Sequence, residues 1–346
     1  MGMMRQLAAS LLTAATLLPG AGLARQIGTT TEISARYRTG DSFMGIRLLG
    51  TVRLSNDPVD GHAVTGLSGL AWDEDEQLLY AVSDRGYLLH LQPQFDKERL
   101  VGVDLTAAHS LRSRTQNRLA HYLGDAEGLA IVNGSNGVEG DAELLISFEG
   151  TPRVDRYRPD GRWVASVPIP AMLSDGSRYV CRNCQLEAVA LDPLLGLMLA
   201  PQRPLSGEPR NLHSVYDESS RAWSFPSIAE SHCSLVDLAG TPQGGLLVLE
   251  RRYRNVFSPV VFAIRRLRAD PARQPNGGAV TVEDVAILDN TQGWSVDNFE
   301  GLAHHRDNRY FMVSDDNNSA LQSTLLVYFE IEEGGQDPEA RPGDAM

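Results

Sequence analysis

One short segment recurs along this chain, and its recurrence limits the fold more than any other feature. Asn298-Phe299-Glu300-Gly301-Leu302-Ala303 has close copies in Leu67-Ser68-Gly69-Leu70-Ala71, Ala126-Glu127-Gly128-Leu129-Ala130 and Leu186-Glu187-Ala188-Val189-Ala190. A degenerate copy, Leu235-Val236-Asp237-Leu238-Ala239, is placed by cysteine, because the stretch from Cys184 to Ala190 lies over that from Cys233 to Ala239 without a gap. After each copy comes a turn of Asp, Asn, Gly or Pro, then an apolar run ending abruptly in polar residues: Asp84-Arg85, Glu149-Gly150, Gln202-Arg203, Glu250-Arg251 and Asp315-Asp316. Five units at a spacing of about 50 to 65 residues, without long helical periodicity, are the mark of a β-propeller with one sheet per repeat.

The expected fold is therefore all-β, a single propeller of five, or six, four-stranded blades. The recurring segment forms the innermost strand, where small residues let strands crowd near the axis. The run ending in Asp or Glu is second, and stretches such as Val154 to Tyr157 and Trp163 to Val167 are third and fourth. Ile46 to Leu54 reads as a strand preceding the first repeat, and Thr324 to Ile331 as one with nothing after it to continue its sheet. Pairing them would close the ring and hide two edges. The stretch Val101 to Gly124, with Arg112, Arg114 and Arg118, fits no strand well and is either a sixth-blade remnant or a long loop.

Residues 1–24 read as a signal peptide: Arg5 supplies a positive start, Leu7 to Leu18 an apolar stretch, and Gly22-Leu23-Ala24 a cleavage region. About a dozen apolar residues fall short of the ~20 that span a bilayer. The expectation is a periplasmic or secreted protein with no membrane span, a propeller over residues 25–332 and a disordered tail at 333–346, acting as a monomer. A net charge of −13 gives no support to nucleic-acid binding, which needs a basic field. Three cysteines in an exported chain suggest one disulfide and one thiol. Cys184 with Cys233 is the favoured pair, from their equivalent positions in successive repeats, with Cys181–Cys184 close behind.

Superposing the repeats produces two rings of positions. Ser68, Glu127, Glu187, Val236 and Glu300 begin innermost strands, and Asp84, Glu149, Gln202, Glu250 and Asp315 end second strands. Strand direction alternates within a blade, so both rings belong to one face of the disc. That many carboxylates converging without a cation would be unfavourable. An oxygen-only set favours a hard ion, Ca²⁺ first and Mg²⁺ next. Glu127, Glu187, Glu300 and Asp84 are the expected ligands. Arg85, Arg153, Arg203 and Arg251 follow the second ring, and arginine forks match the oxygens of an anionic ester. His304-His305 offers a weaker general-base lead, and no Gly-x-Ser-x-Gly elbow supplies a serine nucleophile.

Glu127-Gly128-Leu129-Ala130 with Ser147-Phe148-Glu149-Gly150, and Phe299-Glu300-Gly301-Leu302-Ala303 with Ser314-Asp315-Asp316, resemble the phytase-like family, the esterase-like activity of phytase domain. The likeness runs from about Val64 to Ile331. It implies an exported bacterial propeller, a phosphoester hydrolase whose activity rests on acidic residues, by position Glu127, Glu149, Glu187, Glu300, Asp315 and Asp84. Ser68, Val236 and Gln202 depart from that pattern. The expected function is hydrolysis of a small anionic ester by metal-activated water, with Glu149 or Asp315 taking the proton and Glu127 and Glu300 beside them. A non-catalytic binding propeller with a structural calcium and a calcium-dependent lactonase or carboxylesterase are the alternatives.

Overall fold

The computed structural model describes residues 24–332 except 59–60, 256, 270–273, 297 and 317–321. The expected signal peptide, save Ala24, and the expected tail lie outside the described residues.

Five sheets are arranged around one axis, antiparallel except for one edge pair, Ala222–Pro226 with Gly277–Ala279, which is parallel. Their innermost strands are Leu67–Asp73, Ala126–Val132, Leu186–Asp192, Cys233–Gly240 and Asn298–Arg306, which number the blades 1 to 5. Each lies against the next, and that of blade 5 lies against that of blade 1. The doubtful stretch after Val101 is resolved by Arg99–Ser110, the fourth strand of blade 1, so there is no sixth blade among the described residues. In blade 5, Leu325–Ile331 pairs with Ile46–Leu54, which in turn pairs with Gly28–Thr31.

The recurring Leu-Ala dipeptide has a packing reason. Successive residues of a strand face opposite ways, so the leucine enters the core shared with the preceding blade and the alanine enters the core shared with the following one. Leu129 packs with Tyr80 and Val82 of blade 1, whereas Ala130 packs with Leu186 and Leu199 of blade 3. Leu302 likewise meets Leu249 and Phe262 of blade 4, and Ala303 meets Leu70 and Leu89 of blade 1. Large against small lets wedge-shaped sheets fill the space between blades at interior density.

The residue before that dipeptide marks the closest approach of neighbouring strands. A Cβ on Gly128 would lie 2.7 Å from the Val189 nitrogen and 2.8 Å from the Glu187 carbonyl oxygen. One on Gly69 would lie 2.7 Å from the Glu127 carbonyl oxygen. Blade 4 carries Asp237 there instead. Its buried carboxylate accepts the Leu302 amide of blade 5 at 2.6 Å, so a side-chain bridge spans the interblade gap.

One position earlier, each inner strand carries a β-bulge. Leu67 pairs with Ser83 and Gly69 with Val82, leaving Ser68 extra. Glu187, Val236 and Glu300 are extra in the same way, and in blade 2 Glu127 and Gly128 together face Ser147. A bulge adds a residue on one side of a ladder and re-aims its side chain. The first ring predicted from the sequence is thus a ring of bulges.

Crowding at Gly128 predicts that Gly128→Ala destabilises the protein by about 1–3 kcal/mol. Gly176→Ala, where the nearest atom is 3.6 Å from the added carbon, should stay within about 0.5 kcal/mol of the parent. Denaturant unfolding of the two variants measures the contrast.

Candidate metal centre

The bulged residues and the ends of the second strands meet at one mouth of the channel, because the backbone ladder continues past both. The Glu149 amide donates to the Asp125 carbonyl at 2.9 Å, Asp84 to Gly66 at 2.8 Å and Gln202 to Gln185 at 2.8 Å. Blade 2 supplies acids at three of these places. Asp125, Glu127 and Glu149 each offer a carboxylate oxygen within 4.8 Å of the others. Glu149 Oε1 is oriented by the Gln185 amide at 2.7 Å.

The remaining acids surround this group. Glu187 is fixed at Oε1 by Gln202 Nε2, 2.8 Å away, while its Oε2 is buried with no hydrogen-bond partner. Glu300 Oε1 accepts from Arg251 at 3.2 Å and from Asn298. Asp315 Oδ1 accepts the Gly66 amide at 2.7 Å, and Asp316 accepts the Thr65 hydroxyl at 2.5 Å. Asp84 lies beside Arg85, 3.9 Å away.

Burial and mutual repulsion raise the affinity of these carboxylates for protons. Burial, with Asp125 and Glu300 nearby and partly offset by the Gln185 amide, pushes Glu149 up to about 7. Burial, then Asp315, pushes Asp84 up to about 6. Glu127 rises well above the usual carboxylate range through burial and then the charges of Glu187 and Glu149, and Glu187 through burial and then those of Glu300 and Glu149. Glu300 also rises by burial, restrained by Arg251.

Two expectations are corrected, the place of Glu250 and the disulfide, and the other expected residues are placed by what each touches. Glu250 is absent from the mouth: it pairs directly with Leu235, so strand alternation turns it between blades 3 and 4, where His213, Arg265 and the Ile228 amide bond it. Arg251 takes the fourth-blade place and reaches Glu300. Arg153 is held by Asp155 at 2.8 Å and lies 3.8 Å over the Phe148 ring. Arg85 is exposed at the rim, and Arg203 lines a separate lateral cavity. The disulfide joins Cys181 to Cys184, not Cys184 to Cys233: a single turn brings the first two α-carbons within 5.5 Å, while the buried Cys233 thiol bonds carbonyls of its own loop. His305 is buried among Trp72, Phe95 and Phe311, bonded to the Tyr328 hydroxyl at 2.7 Å, and lines the other end of the channel with His304.

Asp125 was missed because it does not recur. Its place is Gly66, Gln185, Ser234 and Asn298 in the other repeats, so superposition passes over it. The signal was local, two acids flanking Ala126 in one strand entry.

An oxygen-only group, an orphaned Glu187 oxygen and carboxylates driven toward protonation all fit a hard dication at this mouth. No helix among the described residues is long and apolar enough to cross a membrane.

Carboxylates whose folded proton affinity exceeds the unfolded value contribute stability at low pH and lose it as pH rises through the folded pKa. For Asp84 the loss runs from the ordinary 3.8 up to about 6, and for Glu149 from the ordinary 4.5 up to about 7. Half-buried His90 and buried His305, lowered to about 4 and about 3, lose stability in the opposite direction and below the ordinary 6.5. In chelator, the melting midpoint should therefore fall between pH 6 and 7, and added calcium should raise it more at pH 8, where fewer protons must be displaced. Glu149→Gln should flatten the fall; a parent midpoint independent of pH across that interval would contradict the cluster's role.

Solved structures with some likeness share little sequence with this chain. The PQQ-bound aldose sugar dehydrogenase of Streptomyces coelicolor aligns at 9% identity, covering 85% of this chain and 100% of that one, with a TM-score of 0.45. A gluconolactonase of Xanthomonas campestris aligns at 11% identity over 90% and 99%, with a TM-score of 0.40. No curated protein matches. The acidic repeats themselves are the more telling likeness: the phytase-like family model, described as esterase-like activity of phytase, matches residues 62–318, and the chain belongs to that family.

Proposed function

We propose that this protein is a metal-dependent ester hydrolase that cleaves phosphoesters at the acidic mouth of the channel. The observation that carries the reading is the convergence of Asp125, Glu127 and Glu149 within 4.8 Å, ringed by further acids. These three residues would hold calcium, with magnesium as the second choice. Calcium bound there would supply a Lewis acid for an ester oxygen and lower the pKa of a water.

The chain's own groups then divide the remaining work. Glu187 is the proton acceptor: Gln202 fixes one oxygen and leaves Oε2 without a partner, so that oxygen takes the proton of the attacking water. This moves the role from Glu149, taken here as a calcium ligand, and from Asp315; each has one oxygen accepting a backbone amide. Arg251 sets the position of Glu300 and offsets its charge. Arg85, exposed beside Asp84, is free to swing toward an anionic substrate. A Cys181–Cys184 bridge supports action outside the cytoplasm, in the periplasm or the medium.

Assays of a phosphomonoester, a phosphodiester and a carboxylic ester, with calcium and with chelator, test this reading. Calcium-dependent cleavage of a phosphoester is expected. Glu187→Gln should lower kcat by about 10²–10⁴ while calorimetry still finds calcium bound; Glu149→Gln should weaken calcium binding itself. Cleavage of the carboxylic ester alone would move the assignment to the lactonase type. Calcium bound with no ester cleaved would leave a binding propeller.

A further inference from the structure

Beside the carboxylate mouth, between the upper ends of blades 3 and 4, lies a cavity of about 580 Å³ whose lining includes Cys181, Arg203, Arg210, His232 and Cys233. It sits one residue outward from the channel. Arg203 follows Gln202, which bonds Glu187, and Cys233 pairs with Arg252, the neighbour of the Arg251 that reaches Glu300.

Its charge is opposite to that of the mouth. Arg203, Arg210 and His232 are exposed, and neither arginine forms an ion pair with a described residue. Glu208 is the one acid in the lining, and both its oxygens are engaged, Oε1 by the Tyr216 hydroxyl at 2.8 Å and Oε2 by the Leu205 amide at 3.0 Å. A chain of net charge −13 therefore keeps two guanidinium groups without an ion-pair partner among the described residues, against the single carboxylate of Glu208, beside its most acidic site. The walls are set in advance. Cys181 is tied to Cys184, and His232 holds a left-handed backbone with φ 63°, uncommon for a residue with a side chain.

We propose that this cavity is an anion subsite that receives a second phosphate or carboxylate group of the substrate whose ester is cleaved at the mouth. The part played in substrate recognition rests on the hydrolase reading above; anion binding does not. Guanidinium forks bond two oxygens of a phosphate or carboxylate at once. Opposite potentials a short distance apart also orient a ligand, since an anionic terminus is repelled by the carboxylates and drawn to the arginines. The substrate class is then an ester bearing at least one further anionic group, rather than a neutral ester.

The test is titration of inorganic phosphate, and separately of succinate, into the purified protein in chelator, with the parent, Arg203→Gln/Arg210→Gln and Glu187→Gln. Saturable binding by the parent and by Glu187→Gln is expected, with at least about tenfold weakening in the double variant, whose melting midpoint should match the parent's because both side chains are exposed. The tighter of the two anions identifies the group received. Absence of saturable binding, or equal affinity in the double variant, overturns the proposal. Phosphate binding lost with the arginines in a protein that cleaves no ester would support the subsite and reject the hydrolase reading, so the two fail separately.

Discussion

The close approach of the inner strands governs the rest of this structure. With only five blades around the axis, neighbouring backbones come so near that a Cβ at Gly69 or Gly128 would meet backbone atoms at 2.7 Å. The bulge immediately before this contact absorbs one residue, and the side chain of that residue is sent toward the axis. Crowding, bulge and inward side chain form one unit, and five repetitions of it put Glu127, Glu187 and Glu300 around one opening. Asp237 is the variation that shows the constraint: at the place where three other blades use glycine, its carboxylate spans to the Leu302 amide of the next blade.

Such a concentration of buried acid costs stability unless something offsets it. Part of the offset is built in, through the Gln185 amide on Glu149, Gln202 on Glu187, Arg251 on Glu300 and the Gly66 amide on Asp315. These partners also restrict each carboxylate to one direction. What they leave is a cluster still raised above its ordinary proton affinity, which protons fill at low pH and a dication would fill at neutral pH. The lateral arginine cavity does not relieve this charge; it gives the same face a second, opposite character.

The architecture was legible in the sequence because the Glu-Gly-Leu-Ala unit reports packing: large and small residues for the two interblade cores, glycine for the strand contact. The position of the acids was legible for the same reason, since Glu127, Glu187 and Glu300 repeat. What failed to repeat could not be read. Asp125 occupies a place held by Gly, Gln, Ser and Asn elsewhere, and its relation to Glu149 depends on the pairing of two strands. Glu250 was placed one residue out of register, and on a strand one residue reverses the facing of a side chain. The disulfide was assigned from the equivalence of Cys184 and Cys233, but equivalent positions on successive blades are not neighbouring sulfurs, and a local turn brought Cys181 closer. Arg153 could not be told from its sequence neighbours because its engagement with Asp155 and Phe148 is a matter of rotamer.

The claim beneath all of this is that the bulges of an inner-strand ring assemble a dication site. Its most direct test is a crystal structure of the protein grown in calcium, with an anomalous difference map collected at long wavelength. The account predicts a peak bonded by oxygens of Asp125, Glu127 and Glu149, at distances of about 2.3–2.6 Å. A mouth holding only ordered water, with those three carboxylates turned apart, would contradict it.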